Sequence, residues 1–365
     1  MVRDALTCEK SITEMVDRVA ETNCNMIFVQ VSGRGDAYYE STLLPKAEPD
    51  LQQDTPFDPL ENVIKNAHGR GLEVHAWINV FCIWSAPELP RSPQHIIYLH
   101  PEWIAYTSEG RSLLAYERPH PFGVEGIFLS PGHPAVRVWI ADIIGEIVDH
   151  YDVDGIHLDY VRYPNGETGL NPEARARFLE AYDVDPIHLF TSQKDREHNA
   201  ESEDIDTLHH VWNQWRCQQV TETIQGVRDR ISRAKPRVKL SAAVKPDYEL
   251  AVEKYGQDWK TWMDRSLLDF VVIMAYSPET DVVARQIEDA CQLVSERSLF
   301  AGIGVYNQSA FTTVRQIATV RELGLHGISL FSYNSIQDDE VYFRTVMKDC
   351  FQGKAAVPFS NPHNE

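Results

Sequence analysis

Hydrophobic and polar positions alternate along the chain in two rhythms. Short runs rich in β-branched and aromatic residues recur between longer segments whose apolar positions repeat every three to four residues. This order is typical of parallel strands joined by helical crossovers. Eight runs are predicted to be strands: Val2–Ala5, Met26–Val31, Glu73–Val80, Gly155–Asp159, Lys239–Val244, Phe270–Tyr276, Leu299–Tyr306 and Gly327–Tyr333.

The segments between these runs complete the predicted architecture. Eight strand and helix units indicate an α/β fold, a single (β/α)8 TIM barrel over residues 1–350, followed by a flexible tail over 351–365. Two long loops, Phe81–Pro134 after the third strand and Val161–Asp206 after the fourth, are expected to wall a cleft. Six segments are predicted to be helices: Ile12–Thr22, Pro59–Arg70, Ala135–His150, Thr207–Arg233, Val282–Glu296 and Thr312–Leu323.

Composition and charge restrict the class of partner. The 365 residues carry a formal net charge of -20, which opposes binding to nucleic acid. No run of about 18 apolar residues predicts a membrane span, and the first residues lack the apolar core of a signal peptide, so export would need a longer precursor. No cofactor motif is found, and nothing in the pattern predicts an oligomeric state.

Polar and aromatic residues collect at the predicted strand ends, where a barrel places its active site. Aromatic rings stack on the apolar faces of sugars, while amides and arginines bind hydroxyl groups, so a carbohydrate is the expected substrate. The candidate substrate-binding residues are Gln30, Arg34, His75, Trp77, Asn79, Trp84, His157, Tyr276, Tyr306, Asn307 and Tyr333.

The fourth predicted strand carries the main catalytic candidate. Alternation along Gly155–Asp159 places His157 and Asp159 on one face, which should be the inside of the barrel. A charged group there is costly unless it is functional or hydrogen-bonded. We therefore predict that Asp159 is a catalytic carboxylate, the alternative being an aspartate that only binds the turn at the strand end.

A family resemblance is carried by seven segments that follow one another along the chain: Val29–Pro45, Ala67–Phe81, Leu129–Arg137, Asp154–Pro164, Tyr255–Met263, Leu267–Ser277 and Gly327–Ser335. They look like the glycoside-hydrolase-like family 10 of bacteria. The resemblance implies a (β/α)8 barrel that acts on a polysaccharide, and some relatives are thought to cleave the glycan strands of the bacterial cell wall.

The fourth predicted strand, Gly155–Asp159, differs from the family pattern in one place. Many members carry two consecutive aspartates at its end, whereas Tyr160 follows Asp159 here. The segment Asp154–Pro164 also resembles the DGxDxDxExP strand of family 18 chitinases, but the acidic Glu of that pattern falls at Val161. Chitinase-type chemistry through that Glu is therefore not expected.

A second carboxylate must be found for glycoside hydrolysis. The reaction ordinarily uses two carboxyl groups, a proton donor and a nucleophile or base. The candidate partners of Asp159 are Asp247 after the fifth strand, Asp36 after the second and Glu279 after the sixth. The sequence does not decide among them.

Two other classes of function stay open. In the first, His75 and His157 join Asp159 or Asp36 as ligands of a divalent metal in a hydrolytic centre. In the second, the barrel binds carbohydrate without catalysis. Among the tryptophans, Trp77 and Trp84 are candidates for a sugar platform, whereas the helical spacing of Trp259 and Trp262 predicts core packing.

Overall fold

A computed structural model describes residues 5–47, 57–117, 120, 122–190, 202–295, 298–325 and 327–355. The strands in these ranges are β1 (Met26–Ser32), β2 (Glu73–Asn79), β3 (Cys82–Trp84), β4 (Ile127–Phe128), β5 (Gly155–Asp159), β6 (Lys239–Val244), β7 (Phe270–Ala275), β8 (Leu299–Gly304) and β9 (Gly327–Phe331). Seven of them form one curled parallel sheet in the order β1-β2-β5-β6-β7-β8-β9, and the two others, β3 and β4, form a short antiparallel pair.

Seven of the eight predicted strands are confirmed, two of them to the residue. Apart from Ala5, the predicted first strand Val2–Ala5 lies outside the described residues. Among the described strands, β1 and β9 stand at the two ends of the sheet order. The fold shown is therefore a mixed α/β fold with a curled seven-stranded parallel sheet.

The helices alternate with the strands, as expected for parallel crossovers. They are α1 (Glu9–Ala20), α2 (Pro59–His68), α3 (Ile96–Leu99), α4 (Pro134–His150), α5 (Pro172–Tyr182), α6 (Ser202–Ala234), α7 (Tyr248–Tyr255), α8 (Trp259–Asp264), α9 (Thr280–Leu293), α10 (Ala310–Glu322) and α11 (Glu340–Cys350). The six predicted helices are confirmed with shifts of a few residues at their ends. The helices α3, α5, α7 and α11 were not predicted, and α8 was indicated only by the spacing of Trp259 and Trp262. None of these described helices combines the length and the apolarity needed to cross a bilayer.

The core lies between the sheet and its helices. Trp259 and Trp262 on α8 are fully buried in it, which confirms the core packing predicted from their spacing. A second, smaller core lies under the loop after β5, where the ring planes of Trp212 and Trp215 stack with centroids 5.1 Å apart and Phe178 packs against both. This core gives the long loop a rigid base.

One buried amide joins the two long loops. The Asn171 side chain accepts a hydrogen bond from the Glu173 backbone N–H at 3.0 Å, which starts α5. Its Nδ2 donates to the carbonyls of Glu102 and Ile104, each at 2.8 Å. The loop after β2 and the loop after β5 therefore stand together above one edge of the sheet.

Candidate active site

Asp159 is the last residue of β5 and is partly exposed. Its Oδ1 accepts a hydrogen bond of 2.7 Å from the backbone N–H of Tyr160. Burial raises the pKa of Asp159, and the Tyr160 N–H and the charge of Arg162 only partly oppose this shift. A carboxyl group with a raised pKa keeps its proton to higher pH, which suits a proton donor.

The chain turns sharply after Asp159. Tyr160 has a φ of 50°, in the left-handed region that residues with a Cβ rarely adopt. Its ring lies edge-on to Phe128, with centroids 5.9 Å apart, and its centre is 4.9 Å from the guanidinium carbon of Arg162. Backbone strain of this kind costs on the order of 1 kcal/mol or more and clusters at functional sites.

Aromatic rings line the same cavity as Asp159. Asp159, Trp77, Tyr276 and Phe331 all line a cavity of about 760 Å³. Tyr276 stacks on Phe331 with centroids 5.3 Å apart, and Phe331 meets the edge of Trp77 at 5.9 Å. Tyr306 lies edge-on to Tyr276 and Phe331 at 6.2 and 6.0 Å. These four rings, Trp77, Tyr276, Tyr306 and Phe331, form what we call the aromatic wall.

Glu125 brings a second carboxylate to the site. It lies in the loop after β2, just before β4, and its Oε2 accepts from Arg162 at 2.7 Å. The side chain of Arg162 is 5% exposed, whereas that of Glu125 is 50% exposed. The negative charge of Glu125 is among the influences that raise the pKa of Asp159, so the two carboxyl groups interact electrostatically.

An amide network holds Trp77 beside Asp159. Asn79 pairs with Asp159 across adjacent strands, and its Oδ1 accepts from Trp77 Nε1 at 3.1 Å and Gln30 Nε2 at 3.3 Å. Its Nδ2 donates to the carbonyl of Gly33 at 2.9 Å. Gln30 Oε1 is buried and has no hydrogen-bond partner among the described residues. The structure thus brings the predicted residues Gln30, Trp77 and Asn79 together next to Asp159.

His157 lies below Asp159 on the same face and lines the same cavity. Its Nδ1 is 2.9 Å from Ser241 Oγ, and its ring packs against Phe28 with centroids 4.4 Å apart. Burial, together with the nearby His75, lowers the pKa of His157 to about 3. The ring is therefore neutral at physiological pH and can serve only as a neutral hydrogen-bonding group.

His75 does not lie at the mouth of the sheet, so its prediction as a sugar ligand was wrong. It pairs with Gly155, the first residue of β5, and is fully buried between the rings of Phe28 and Phe270. A Cβ on Gly155 would come within 2.2 Å of the His75 ring. The alternation of residues along β2 correctly predicts which face of the sheet carries His75. How far along the strand His75 lies from the mouth depends on the register between β2 and β5.

The predicted partner carboxylates Asp36 and Asp247 bind backbone instead. Asp36 Oδ1 accepts from the N–H of Arg34 at 2.9 Å within the turn after β1. Asp247 Oδ1 accepts from the N–H of Leu250 at 2.9 Å and caps α7. The third candidate, Glu279, precedes α9 as an exposed residue. Neither these three nor Glu125 is among the residues that line the cavity with Asp159. Unlike Glu125, none of the three is among the main influences on the pKa of Asp159, so the structure does not favour them as its partner.

Two further candidates, Arg34 and Trp84, lie outside the cavity. Trp84 is buried on β3, where its Nε1 donates to the Glu88 carbonyl and its ring meets the edge of His95 at 5.3 Å. The guanidinium carbon of Arg34 is 5.7 Å from the Trp84 ring centre, and its Nε donates to Ser85 Oγ at 3.3 Å. Trp77 lines the cavity but is itself only 6% exposed, so both tryptophans are buried and the sugar platform stays a prediction that rests on Trp77 alone.

The remaining candidates lie on the last two strand ends. Asn307 Nδ2 donates to the Tyr276 carbonyl at 3.1 Å and so supports the aromatic wall. Tyr306 is 52% exposed at the rim of this wall. Tyr333 lines the cavity and meets the edge of the Phe343 ring, with centroids 6.5 Å apart. The Tyr333 ring therefore packs against α11, to which Phe343 belongs.

Known proteins share the sequence pattern and the fold of this chain. Residues 3–322 match the sequence model of the glycosyl hydrolase-like 10 family. The chain belongs to this family. The glycosyl hydrolase YngK of Bacillus subtilis is 27% identical in an alignment of 283 positions that covers 72% of this chain and 48% of YngK. The glycosyl hydrolase DigH of Escherichia coli is 24% identical in an alignment of 331 positions that covers 82% of this chain and 66% of DigH.

The chain thus spans about half the length of YngK and about two thirds of that of DigH. Among solved structures, the glycoside hydrolase domain of PgaB (BpsB) from Bordetella bronchiseptica superposes with a TM-score of 0.68 at 14% identity, covering 93% of both chains. The β-galactosidase Gan42B of G. stearothermophilus gives 0.62 at 12% identity, covering 94% of this chain and 54% of that one. At sequence identities this low, the similarity to solved structures shows only a shared fold. This glycosyl hydrolase-like 10 chain therefore has the fold of these glycoside hydrolases.

Glu125 is the site residue of this glycosyl hydrolase-like 10 chain that sequence reasoning missed. Its loop has no periodicity, and its partner Arg162 lies 37 residues further along the chain. The one available signal was the length of the loop after β2, which predicted a wall of the cleft without saying which residue faces Asp159.

The metal-dependent alternative needs a set of converging ligands. Within the described ranges, no group of three or more His, Cys, Asp and Glu side chains is placed to hold a metal ion. The two histidines proposed for it do not share a level of the sheet, since His75 pairs with Gly155 and His157 with Trp77.

Proposed function

We propose that this chain hydrolyses O-glycosidic bonds of an oligo- or polysaccharide, with Asp159 as the proton donor. The proposal rests on one observation above all: a carboxyl group at a strand end, with a pKa raised by burial, stands beside aromatic rings in a cavity. Family membership supports a carbohydrate-active protein. No cofactor is needed for this chemistry.

Glu125 is the second carboxylate of the proposed mechanism. Asp159 gives its proton to the glycosidic oxygen while the bond from that oxygen to the anomeric carbon breaks. Positive charge then develops on the sugar ring, and the Glu125 carboxylate, held by Arg162, stabilises it. Water adds its hydroxyl to the anomeric carbon, and its remaining proton restores the acid.

The aromatic wall positions the sugar. Tyr276 and Phe331 line the cavity next to Asp159, and Trp77 is fixed there by its hydrogen bond to Asn79. Apolar ring faces bind the C–H faces of a sugar. A closed barrel of eight strands is part of the proposal, because the seven described strands already follow barrel order.

A bacterial cell-wall glycan is the first substrate to test, because the sequence resemblance implies a polysaccharide and the curated relatives are bacterial glycosyl hydrolases. Glycan strands stripped of their peptides are incubated with wild type and with Asp159→Asn, and new reducing ends are counted. Asn can neither donate a proton nor attack carbon, so turnover should fall on the order of 10³-fold or more. Affinity for the glycan should change little.

Asp154→Asn is the matched control, since Asp154 precedes the other end of β5 and its Oδ2 binds the Val74 N–H at 2.8 Å. It should keep its turnover per folded molecule. An Asp159→Asn protein within about tenfold of wild type would remove Asp159 from the mechanism. A wild type that binds glycan but releases no reducing ends on a panel of polysaccharides would indicate a carbohydrate-binding barrel.

A further inference from the structure

Lys245 places a cation at the mouth of the sheet. It is the first residue after β6, and strand alternation puts it on the same side as Ser241 and Ala243. Ser241 contacts His157, and Ala243 lines the cavity together with Asp159. Lys245 therefore continues the inner face of β6 above Asp159. Its Nζ is 5.1 Å from the centre of the Tyr255 ring.

A buried amide fixes the point from which Lys245 extends. Gln257 is fully buried, and its Oε1 accepts from the backbone N–H of Lys245 at 2.8 Å. Its Nε2 donates to the carbonyl of Ala243 at 3.1 Å. Both polar ends of one side chain are thus committed to the end of β6, which limits where the ammonium group of Lys245 can go.

The charge of Lys245 is not directly paired within the described part of the chain. No Asp or Glu there forms a salt bridge with it, whereas the neighbouring Arg162 is bound by Glu125. Burial and the positive charge of Arg162 lower the pKa of Lys245, while the charges of Glu125 and Asp159 act in the opposite direction. A half-buried ammonium group without a direct partner is costly unless a ligand supplies the anion.

We propose that Lys245 binds a carboxylate on the sugar beside the scissile bond and thereby makes the site selective for acidic glycans. The proposal rests on the glycosidase function proposed above, because it is Asp159 that locates the scissile bond. The chain carries a net charge of -20, so an acidic substrate needs a local cation to be held at the mouth. Lys245 is a cation there that forms no salt bridge with a described carboxylate.

The test compares sugars that differ by one carboxylate. Dissociation constants are measured by NMR titration for glucuronate against glucose and for N-acetylmuramate against N-acetylglucosamine. Wild type should bind each acid at least about tenfold more tightly than its neutral match. Lys245→Met should abolish this preference, and Lys245→Arg should keep most of it. Lys254→Met is the matched control, because Lys254 Nζ lies 5.6 Å from the same Tyr255 ring but on α7.

Several results would overturn the proposal. These are a wild type with no preference for the acids or no binding of them, a Lys245→Met protein that keeps the preference, and a loss of preference in Lys254→Met equal to that in Lys245→Met. A Lys245→Met protein that slows turnover of acidic and neutral glycans equally, with unchanged dissociation constants, would show that Lys245 acts on Asp159 rather than on the substrate.

The outcome is independent of catalysis, because single sugars contain no bond to cleave. A preference for acids that depends on Lys245, found in a protein without turnover, would support the binding site and contradict the glycosidase. Turnover lost in Asp159→Asn without any preference for acids would do the reverse. Circular dichroism and melting curves of each variant check that the fold is intact.

Discussion

The guanidinium of Arg162 and the carboxylate of Glu125 meet at 2.7 Å and join two distant parts of the chain. Arg162 follows the end of β5, whereas Glu125 belongs to the loop after β2. Arg162 is almost fully buried, and its guanidinium carbon lies 4.9 Å from the ring centre of Tyr160 and 5.1 Å from that of Tyr255. A cation held this firmly gives Glu125 a defined place beside Asp159.

Glu125→Gln should lower turnover on the glycan by on the order of 10²-fold or more, because the amide removes the proposed second carboxylate while keeping its shape. The pH dependence of the remaining activity should change as well. The charge of Glu125 raises the pKa of Asp159, so its removal should lower that pKa and move the alkaline limb of the pH profile to lower pH. Steady-state rates across pH measure both effects.

Glu88→Gln is the control for this substitution, since Glu88 is an exposed carboxylate of the same loop that forms no salt bridge with a described residue. It should leave the rate and its pH profile unchanged. A Glu125→Gln protein with full turnover and an unmoved alkaline limb would show that the carboxylate of Glu125 takes no part in the reaction.

Asp159 should reduce the stability of the folded protein at neutral pH. Its pKa is raised in the folded state above the unfolded value of about 3.9, so folding stability is lost as pH rises through this interval. Asp159→Asn removes that cost and should be more stable than wild type near pH 7, with a difference that shrinks as pH falls below about 4. Urea unfolding at the two pH values measures it, and a wild type that is the more stable protein near pH 7 would contradict it.

The strands of the sheet could be predicted because a buried strand has a recognisable pattern within a few consecutive residues. The segments Gly155–Asp159 and Lys239–Val244 combine a short apolar run with flanking turn residues, and the structure gives both strands the predicted bounds. Depth within the sheet could not be predicted. It depends on the register between strands, which is why His75 was expected at the mouth and lies instead level with Gly155.

The site was only partly predictable, because an aspartate after a strand looks the same in sequence whether it binds backbone or substrate. Asp36 and Asp247 both follow strands, yet each accepts a backbone N–H. Glu125 shows the opposite error. It has no local pattern, and it reaches the site because Arg162 and the pairing of β3 with β4 hold its loop there.

The backbone at position 160 should be less strained when Tyr160 is replaced by a residue that tolerates a positive φ. Tyr160→Asn and Tyr160→Ala both lose the ring, so they share the cost of lost packing against Phe128. Asn adopts the left-handed region more readily than Ala, and the Asn variant should be the more stable by about 0.5–1 kcal/mol. Chemical denaturation of the pair measures the difference, and equal stabilities would show that the backbone relaxes without the tyrosine.

Tyr306→Ala should weaken glycan binding by about 1 kcal/mol, roughly fivefold in the dissociation constant, with little loss of stability. Tyr306 is 52% exposed, so a bound sugar rather than the fold makes use of its ring. Phe311→Ala is the control, because Phe311 is 75% exposed and belongs to no part of the aromatic wall. The role of Tyr306 in binding is rejected if the two variants bind glycan equally well.

Asp247 offers a decisive comparison between the structural and catalytic interpretations of a strand-end aspartate. Its carboxylate caps α7 through the Leu250 N–H, and loss of such a cap costs about 1 kcal/mol. Asp247→Ala should therefore lower the free energy of unfolding by about that amount. Asp247→Asn should restore it, because asparagine caps a helix about as well as aspartate does.

Both variants should keep turnover close to wild type, since neither changes Asp159 or Glu125. If Asp247 were the second carboxylate, both variants would lose turnover alike, and the stability of the Asn variant would not protect its activity. Urea titrations and initial rates on the same preparations separate the two outcomes.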